Sequence, residues 1–360
     1  MLTRRQTLSF SLAVLGLLFS ACDLPMPDKD STKSSDSTEK PSKNLEPIVI
    51  NGAGATFPAA IYLRWFAAYN QIDSQVQVNY QPVGSAAGVK QFINNTVDFG
   101  GSDTGLSEKE FSQVAKGAIA IPVTAGCIVL GYNLPNVKVL KLSRQVYTDI
   151  FLGKITKWND PAIAKINPEQ KLPNLQIALI HRSDGSGTTE IFTRHLSAIS
   201  SEWQSKVGSG KTVQWLAGIG TKGNEGITAQ IIQTPGAIGY IEFAYAKLNK
   251  ISGALLENHS GKYIESSLEA TAKAIATIEL DQNLIGFTPD PKEINAYPIA
   301  SYSWILIYKQ YEDAQKAQAL KKVLLWALTD GQKFSEELGY VQLSSQVVAK
   351  AQAALANLSK

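Results

Sequence analysis

Beyond its first 45 residues the chain alternates apolar runs of strand period with segments of helical period. Ile48-Val49-Ile50 is a short continuous apolar run and is predicted as a strand. Val76-Gln77-Val78-Asn79-Tyr80 alternates apolar and polar positions, as a half-buried strand does. Between them, Phe57 to Tyr69 carries Ile61, Trp65 and Ala68 at the spacing of one helix face, with Pro58 tolerated in a first turn. Val89 to Asn94 reads as a short helix, and Val97-Asp98-Phe99-Gly100 leads towards Asp103. Val123 to Tyr132 is a nearly unbroken apolar run, long enough for a buried strand that passes between two domains. Ser303-Trp304-Ile305-Leu306-Ile307-Tyr308 is a second such run. The C-terminal part returns to helical spacing, over Ala314 to Thr329 and Ser344 to Leu358. This alternation predicts an α/β fold. Two long strands bracketing an inserted segment predict two lobes around a cleft, residues 46–129 with 297–360 as lobe 1 and 130–296 as lobe 2.

The N-terminus has a different pattern. Arg4-Arg5 precedes an apolar run from Leu8 to Phe19 that is too short and wrongly flanked for a membrane-spanning helix. It ends at Phe19-Ser20-Ala21-Cys22, which resembles the lipobox of bacterial lipoproteins, although Phe19 stands where Leu is more usual. Small residues before the cysteine admit a signal peptidase, and the thiol takes a diacylglycerol. Residues 1–21 are therefore expected to be a cleaved signal peptide, with Cys22 lipidated. The arginine pair leaves general and twin-arginine export both open. Residues 22–45 are a tether: Asp23 to Asn44 is Ser, Thr, Lys, Asp and Pro with almost no large apolar residue. A random coil of that length spans about 25 Å.

Composition narrows the class. The 360 residues suit two domains rather than one core. The formal charge of +3 falls once Arg4 and Arg5 are removed, leaving 32 basic residues against 31 acidic. No basic block exceeds two residues, so neither nucleic acid nor a general polyanion is indicated, and any anion recognition is local. With Cys22 lipidated, Cys127 has no partner, and its apolar surroundings make it a small buried hydrophobe rather than a nucleophile.

The local chemistry lies in three loops. Arg182-Ser183-Asp184-Gly185-Ser186-Gly187-Thr188-Thr189 follows the apolar run Ile177-Ala178-Leu179-Ile180 and opens a helical stretch. Gly52-Ala53-Gly54-Ala55-Thr56-Phe57-Pro58 and Gly84-Ser85-Ala86-Ala87-Gly88 are similar. Thr56, Ser85 and Ser186 each stand before a helical stretch, where they also suit N-caps. Helix starts leave N–H groups without intrahelical partners and carry partial positive charge, and Arg182 adds a planar fork for two oxygens. Aimed at one point, these donors solvate a tetrahedral oxyanion. Asp103 is the exception, because an ionised carboxylate only accepts. It suits an oxyanion that keeps a proton at neutral pH and repels one that has none.

These motifs resemble the solute-binding proteins of bacterial phosphate ABC transporters, from about Ile48 to the C-terminus. The resemblance is densest at Gly52 to Ala59, Gly84 to Asp103, Phe151 to Asp160, Arg182 to Thr189 and Pro235 to Ala246. Ala86-Ala87 departs from the family's commoner Ser-Gly. The resemblance implies the two-lobed periplasmic-binding-protein fold of type II, each lobe a mixed, mainly parallel sheet flanked by helices, with two crossing strands as hinge. It implies phosphate contacts from Thr56, Phe57 (by its backbone N–H), Ser85, Asp103, Arg182, Ser186, Gly187 and Thr188, with Asp184 bracing Arg182. It further implies an exported, monomeric, non-enzymatic receptor, without metal or cofactor, on the periplasmic side of the plasma membrane, that delivers phosphate to permease subunits. Receptors for sulfate or molybdate, and a surface phosphate sensor or adhesin, are the alternatives.

Three other motifs fail on their own terms. Gly208-Ser209-Gly210-Lys211-Thr212 looks like the end of a P-loop, but Ser205 stands where Gly is needed, and a helical stretch precedes it with a strand-like Val213-Gln214-Trp215 after it. Gly52-x-Gly54 lacks the third glycine of a dinucleotide site, since Phe57 stands there. Ser186 is no nucleophile elbow, because Asp184 replaces the first glycine. His181, adjacent to Arg182 on a strand, points to the opposite face. Neither it nor His195 or His259 forms a metal-spaced pair, so a hydrolase has no visible machinery.

Overall fold

The apolar run that begins at Ile48 becomes β1 (Ile48–Gly54) of the computed structural model, which describes residues 46–358. The first group of strands comprises β2 (Val76–Pro82), β3 (Phe99–Ser102) and the long β4 (Ala118–Tyr132). After β5 (Lys141–Leu142) come β6 (Ala178–Arg182), β7 (Ile219–Thr221), β8 (Ala237–Glu242) and β9 (Ser252–Gly253). The last are β10 (Leu255–Glu257), β11 (Tyr263–Ile264) and β12 (Ala300–Tyr308). The main sheet runs β2-β1-β3-β12-β4-β8-β6-β7, with β9 also on β4, and β5, β10 and β11 form a small separate sheet.

β4 divides the main sheet into two wings. Its first part pairs antiparallel with β12, from Ala118↔Tyr308 to Cys127↔Ala300. Its second part pairs antiparallel with β8, from Ile128↔Glu242 to Tyr132↔Ile238. The wing of β1, β2, β3 and β12 is parallel except at β12, and in the other wing β6 lies parallel to both β7 and β8. Strands covered on both faces read as continuous apolar runs, which is why β4 and β12 were legible in sequence. All of β12 and all but Ile119 of β4 are buried. The return crossing is the chain entering β12, where the Ile128 N–H donates to the Ile299 carbonyl at 2.9 Å.

Each wing has an aromatic core. Tyr62, Phe66, Tyr80 and Phe99 pack with ring centroids 5.2–6.4 Å apart in one. Phe151, Phe192, Trp215 and Tyr240 pack in the other with centroids 4.7–6.2 Å apart. Buried indole N–H groups are satisfied, Trp65 by the Gly331 carbonyl at 2.7 Å and Trp158 by that of Gly236 at 2.9 Å. Cys127 is buried and unpaired by any disulfide, as its apolar setting predicts.

Several boundaries differ from the sequence expectation. The first helix is Ala59–Ile72, with Pro58 at its N-cap rather than in its first turn. The helix expected from Val89 begins at Ser85. Val213-Gln214-Trp215 forms no strand; the Trp215 ring instead stacks on His181, centroids 4.8 Å apart. The C-terminal stretch breaks after Ala327 into a 3-10 turn, Asp330–Phe334, before the final helix Ser345–Ala356.

Candidate anion-binding site

The strand ends of both wings meet at one place. β1 delivers Thr56 and Phe57 to the start of helix Ala59–Ile72, and β2 delivers Ser85 to helix Ser85–Ile93. β3 ends beside Asp103, while β6 ends at Arg182 and leads to helix Gly187–Ile199. This is the usual place for ligands in open α/β sheets, outside the carboxyl ends of the strands. The two sides touch: the Ala86 N–H donates to the Gly185 carbonyl at 3.0 Å. Contact is so close at Gly187 that a Cβ there would lie 2.5 Å from Ser85 Oγ and 2.7 Å from Asp103 Cβ.

Of the three hydroxyls expected as caps, only Ser186 is one, accepting from the Thr189 N–H at 3.2 Å. Ser85 is the first residue of its own helix, whose N-cap is Gly84 at φ 95°. A Cβ on Gly84 would lie 2.4 Å from Asp184 Oδ2, so both its φ and its neighbour require glycine. The Ser85 hydroxyl lies 3.4 Å from Asp103 Oδ2 and accepts from the Asp103 N–H at 3.3 Å. Thr56 precedes its helix, and its hydroxyl oxygen accepts twice from Asn224, from the backbone N–H at 3.1 Å and from Nδ2 at 2.9 Å. With its acceptor sites taken, the Thr56 hydroxyl is left to donate its proton. Asn224 Nδ2 also reaches Thr188 Oγ1 at 3.3 Å, which brings Thr56 and Thr188 together. Phe57 is buried, and its carbonyl accepts from the Tyr340 hydroxyl at 2.8 Å. Cys22 lies outside the described residues.

Arg182 is the cation of the site. Its side chain is 1% exposed and braced as expected by Asp184, from Nε to Oδ1 at 2.6 Å and from Nη2 to Oδ2 at 2.5 Å. Burial alone would raise the Asp184 pKa, yet the Arg182 bonds and charge hold that carboxyl below its usual range. The backbone of Arg182 donates to the Tyr240 hydroxyl at 3.0 Å, which fixes the strand end. Its Nη1 is buried and has no hydrogen-bond partner. A buried guanidinium N–H without a partner is costly unless something accepts from it. Beside it, Gly187 and Thr188 open a helix whose first N–H groups have no intrahelical acceptor.

Asp103 is 1% exposed. Burial pushes its carboxyl up to about 7, against the opposing pull of the Ser303 hydroxyl, Arg182, Ser85 and Lys211. Asp103 and Thr104 form a turn, but the Asp103 side chain reaches across the fold, its Oδ1 accepting from Ser303, 200 residues away, at 2.8 Å. An acceptor thus sits among donors, which is the arrangement for an anion that still carries a proton.

Sequence reasoning missed Asn224, Lys211 and Ser303. Asn224 follows β7 through Gly223 and so stands at a fourth strand-to-helix turn, a signal the glycine spacing carried. Lys211 lies in the turn resembling a P-loop. Its carbonyl accepts from the Ser186 N–H at 2.8 Å, and its Nζ meets Glu110 of the other wing at 2.9 Å. Glu110 is held by the Ser107 capping box, so the pair ties the two wings together. Both residues line a cavity of about 750 Å³ with Thr104, Glu190, Arg194 and Phe287 among others. The stretch Pro235 to Ala246 supports the site from behind: the Tyr245 hydroxyl donates to the Thr56 carbonyl at 2.8 Å, and Tyr240 meets Thr189 at 2.6 Å. Among the described residues, no three His, Cys, Asp or Glu side chains gather as metal ligands.

The sequence matches the PBP superfamily domain over residues 31–330. The phosphate-binding protein PstS of Xylella fastidiosa (strain 9a5c) is 40% identical over 339 residues, 91% of this chain and 92% of that protein. PstS of Pasteurella multocida is 41% identical over 308 residues, 84% and 89% of the two chains. PstS of Methanocaldococcus jannaschii is 39% identical over 336 residues, 86% of each. Among solved structures, a high-affinity periplasmic phosphate-binding protein with bound phosphate superposes with a TM-score of 0.69 at 20% identity, covering 84% of this chain and 93% of that one. The phosphate-binding protein of Stenotrophomonas maltophilia gives 0.66 at 19%, covering 85% and 93%. At these identities the solved structures speak for the fold.

Proposed function

This chain belongs to the PstS phosphate-binding proteins of the PBP superfamily, and on that premise we propose that it captures inorganic phosphate between its two wings and delivers it to an ABC importer. The observation that carries the proposal is the buried, unpartnered Arg182 Nη1, set beside the helix start at Gly187 and the acceptor Asp103. The contacts assigned are Thr56, Ser85, Ser186 and Thr188 through hydroxyls or N–H groups, Phe57 and Gly187 through N–H groups, and Arg182 and Asp103 through side chains. Residues 46–129 with 297–360, and 130–296, act as lobes that close on the anion, and no covalent step is involved. The protein acts as a monomer, and its docking partners are the permease subunits.

The test is titration calorimetry with phosphate and with sulfate at neutral pH. Phosphate binds at micromolar or tighter affinity and sulfate on the order of 100-fold more weakly or worse, because Asp103 has no proton to accept from sulfate. Comparable affinities for the two anions would overturn the role of Asp103 and favour a general oxyanion receptor.

Anchoring belongs to the same proposal. The lipobox at Phe19 to Cys22 and the polar stretch after it support a lipid-anchored protein held on the periplasmic side of the plasma membrane. Cys22→Ser therefore moves the protein from the membrane fraction to the soluble fraction and leaves phosphate affinity unchanged. Retention of the variant in membranes of a strain lacking the permease would sink the anchor assignment.

A further inference from the structure

Ser303 sits on β12, the strand that borders β4 at the junction of the wings, and is fully buried. On a strand, residues two apart share a face, and Ser301 and Ser303 both turn towards Asp103. Ser301 Oγ reaches only its main-chain carbonyl, at 3.4 Å, whereas Ser303 Oγ donates to the carboxylate Oδ1 at 2.8 Å. Trp304, on the opposite face, ties its indole N–H to the Leu284 carbonyl at 2.7 Å, which fixes the strand on that side. The pairing of β12 with β4 slips at this place: Ser303 lies opposite Thr124 and Trp304 opposite Pro122, so Val123 is the extra residue of a bulge. The bulge coincides with a proline, which has no N–H to give the ladder.

We propose that Ser303 is a positioning residue of the anion site: its hydroxyl engages Asp103 Oδ1 so that Oδ2 alone is presented to the anion as an acceptor, and this sets the preference for an anion that carries a proton. The inference rests on the phosphate reading above. A protonated carboxyl offers an oxyanion a donor as readily as an acceptor, and the distinction between phosphate and sulfate is lost. A donor to the ionised carboxylate favours that form. The charged groups facing Asp103 are Arg182 and Lys211, which also favour it. Glu242, Tyr62, Tyr80, Tyr245 and Tyr340 surround it as well, and burial raises the pKa of each, which favours their neutral forms. Ser303 is thus the neutral donor at Oδ1, as Ser85 is at a longer 3.4 Å from Oδ2, among the groups that favour the ionised form of Asp103.

The experiment compares wild type, Ser303→Ala, Ser303→Thr and Ser301→Ala by calorimetry with inorganic phosphate and sulfate between pH 6 and 9, with thermal unfolding of each in the absence of anion as the control for folding. Ser303→Ala weakens phosphate binding about tenfold and narrows the phosphate-to-sulfate gap by a similar factor. The sign of the pH effect follows from the lost donor: the Asp103 carboxyl titrates higher, so the preference for phosphate disappears at a higher pH than in wild type as pH is lowered. Ser303→Thr keeps the hydroxyl and restores the preference, and Ser301→Ala, which removes an equally buried hydroxyl from the same face, leaves it in place. A Ser303→Ala protein with the wild-type phosphate-to-sulfate ratio and pH profile overturns the inference. Equal loss of selectivity in Ser301→Ala also overturns it, since that would mark a merely structural effect. Absence of phosphate binding in wild type would instead remove the functional reading itself.

Discussion

Arg182→Ala weakens phosphate binding by roughly 30-fold to several thousand-fold, the range set by a loss of on the order of 2–5 kcal/mol when one partner of a buried charged hydrogen bond is removed. The expectation follows from three features. The guanidinium is almost wholly buried, two of its nitrogens are committed to Asp184, and Nη1 is left for the anion. Arg182→Lys keeps the charge but cannot hold Asp184 with one face and an anion with another, so it binds between the two extremes. Calorimetric titration of the three proteins with phosphate gives the order directly. Wild-type affinity in Arg182→Ala would mean that phosphate is held elsewhere, and the assigned site would have to be abandoned.

Gly187→Ala produces the second large effect, by geometry rather than charge. The added methyl would lie 2.5 Å from Ser85 Oγ, 2.7 Å from Asp103 Cβ and 2.9 Å from Asp103 Oδ2. Ser85 can rotate, but a Cβ attached to the backbone of Asp103 cannot move aside without moving the end of β3. Overpacking of this kind costs about 1–3 kcal/mol, or roughly 5- to 150-fold in affinity. The same substitution favours the isolated helix, because alanine exceeds glycine in helix propensity by about 1 kcal/mol. The expected signature is therefore weak phosphate binding in a protein whose anion-free unfolding temperature falls by less than the overpacking alone would lower it. A lowered unfolding temperature with normal affinity would show that Gly187 serves the helix and not the approach of the two wings.

The two predictions draw on different kinds of information. That Arg182 carries the site could be read from the chain, because a strand ending in Arg-Ser-Asp-Gly-Ser-Gly before a helix places its donors by local geometry alone. The bracing by Asp184 is equally local, two residues away. The cost of a methyl at Gly187 could not be read, since its neighbours Ser85 and Asp103 come from a distant part of the chain. The same distinction explains the cap assignments. Ser186 caps its helix because its own backbone turns there, whereas the hydroxyls of Thr56 and Ser85, which look similar in sequence, meet Asn224 and Asp103 instead of capping. The turn Gly208–Thr212 was correctly read as no P-loop, but its role in holding Ser186 and in pairing Lys211 with Glu110 depends on what lies across the cleft.

The sequence by itself determined the alternation of strands and helices, the two long buried strands, the polar N-terminal stretch and the identity of the anion-directed loops. These follow from periodicity and turn chemistry, which act over a few residues. Only the tertiary structure decided which donors converge and which are already occupied. Asn224 meets Thr56 across 168 residues, and Ser303 meets Asp103 across 200. Such contacts arise when strands from distant parts of the chain are laid side by side and their ends packed, and no spacing along the chain encodes the distance between side chains brought together in that way.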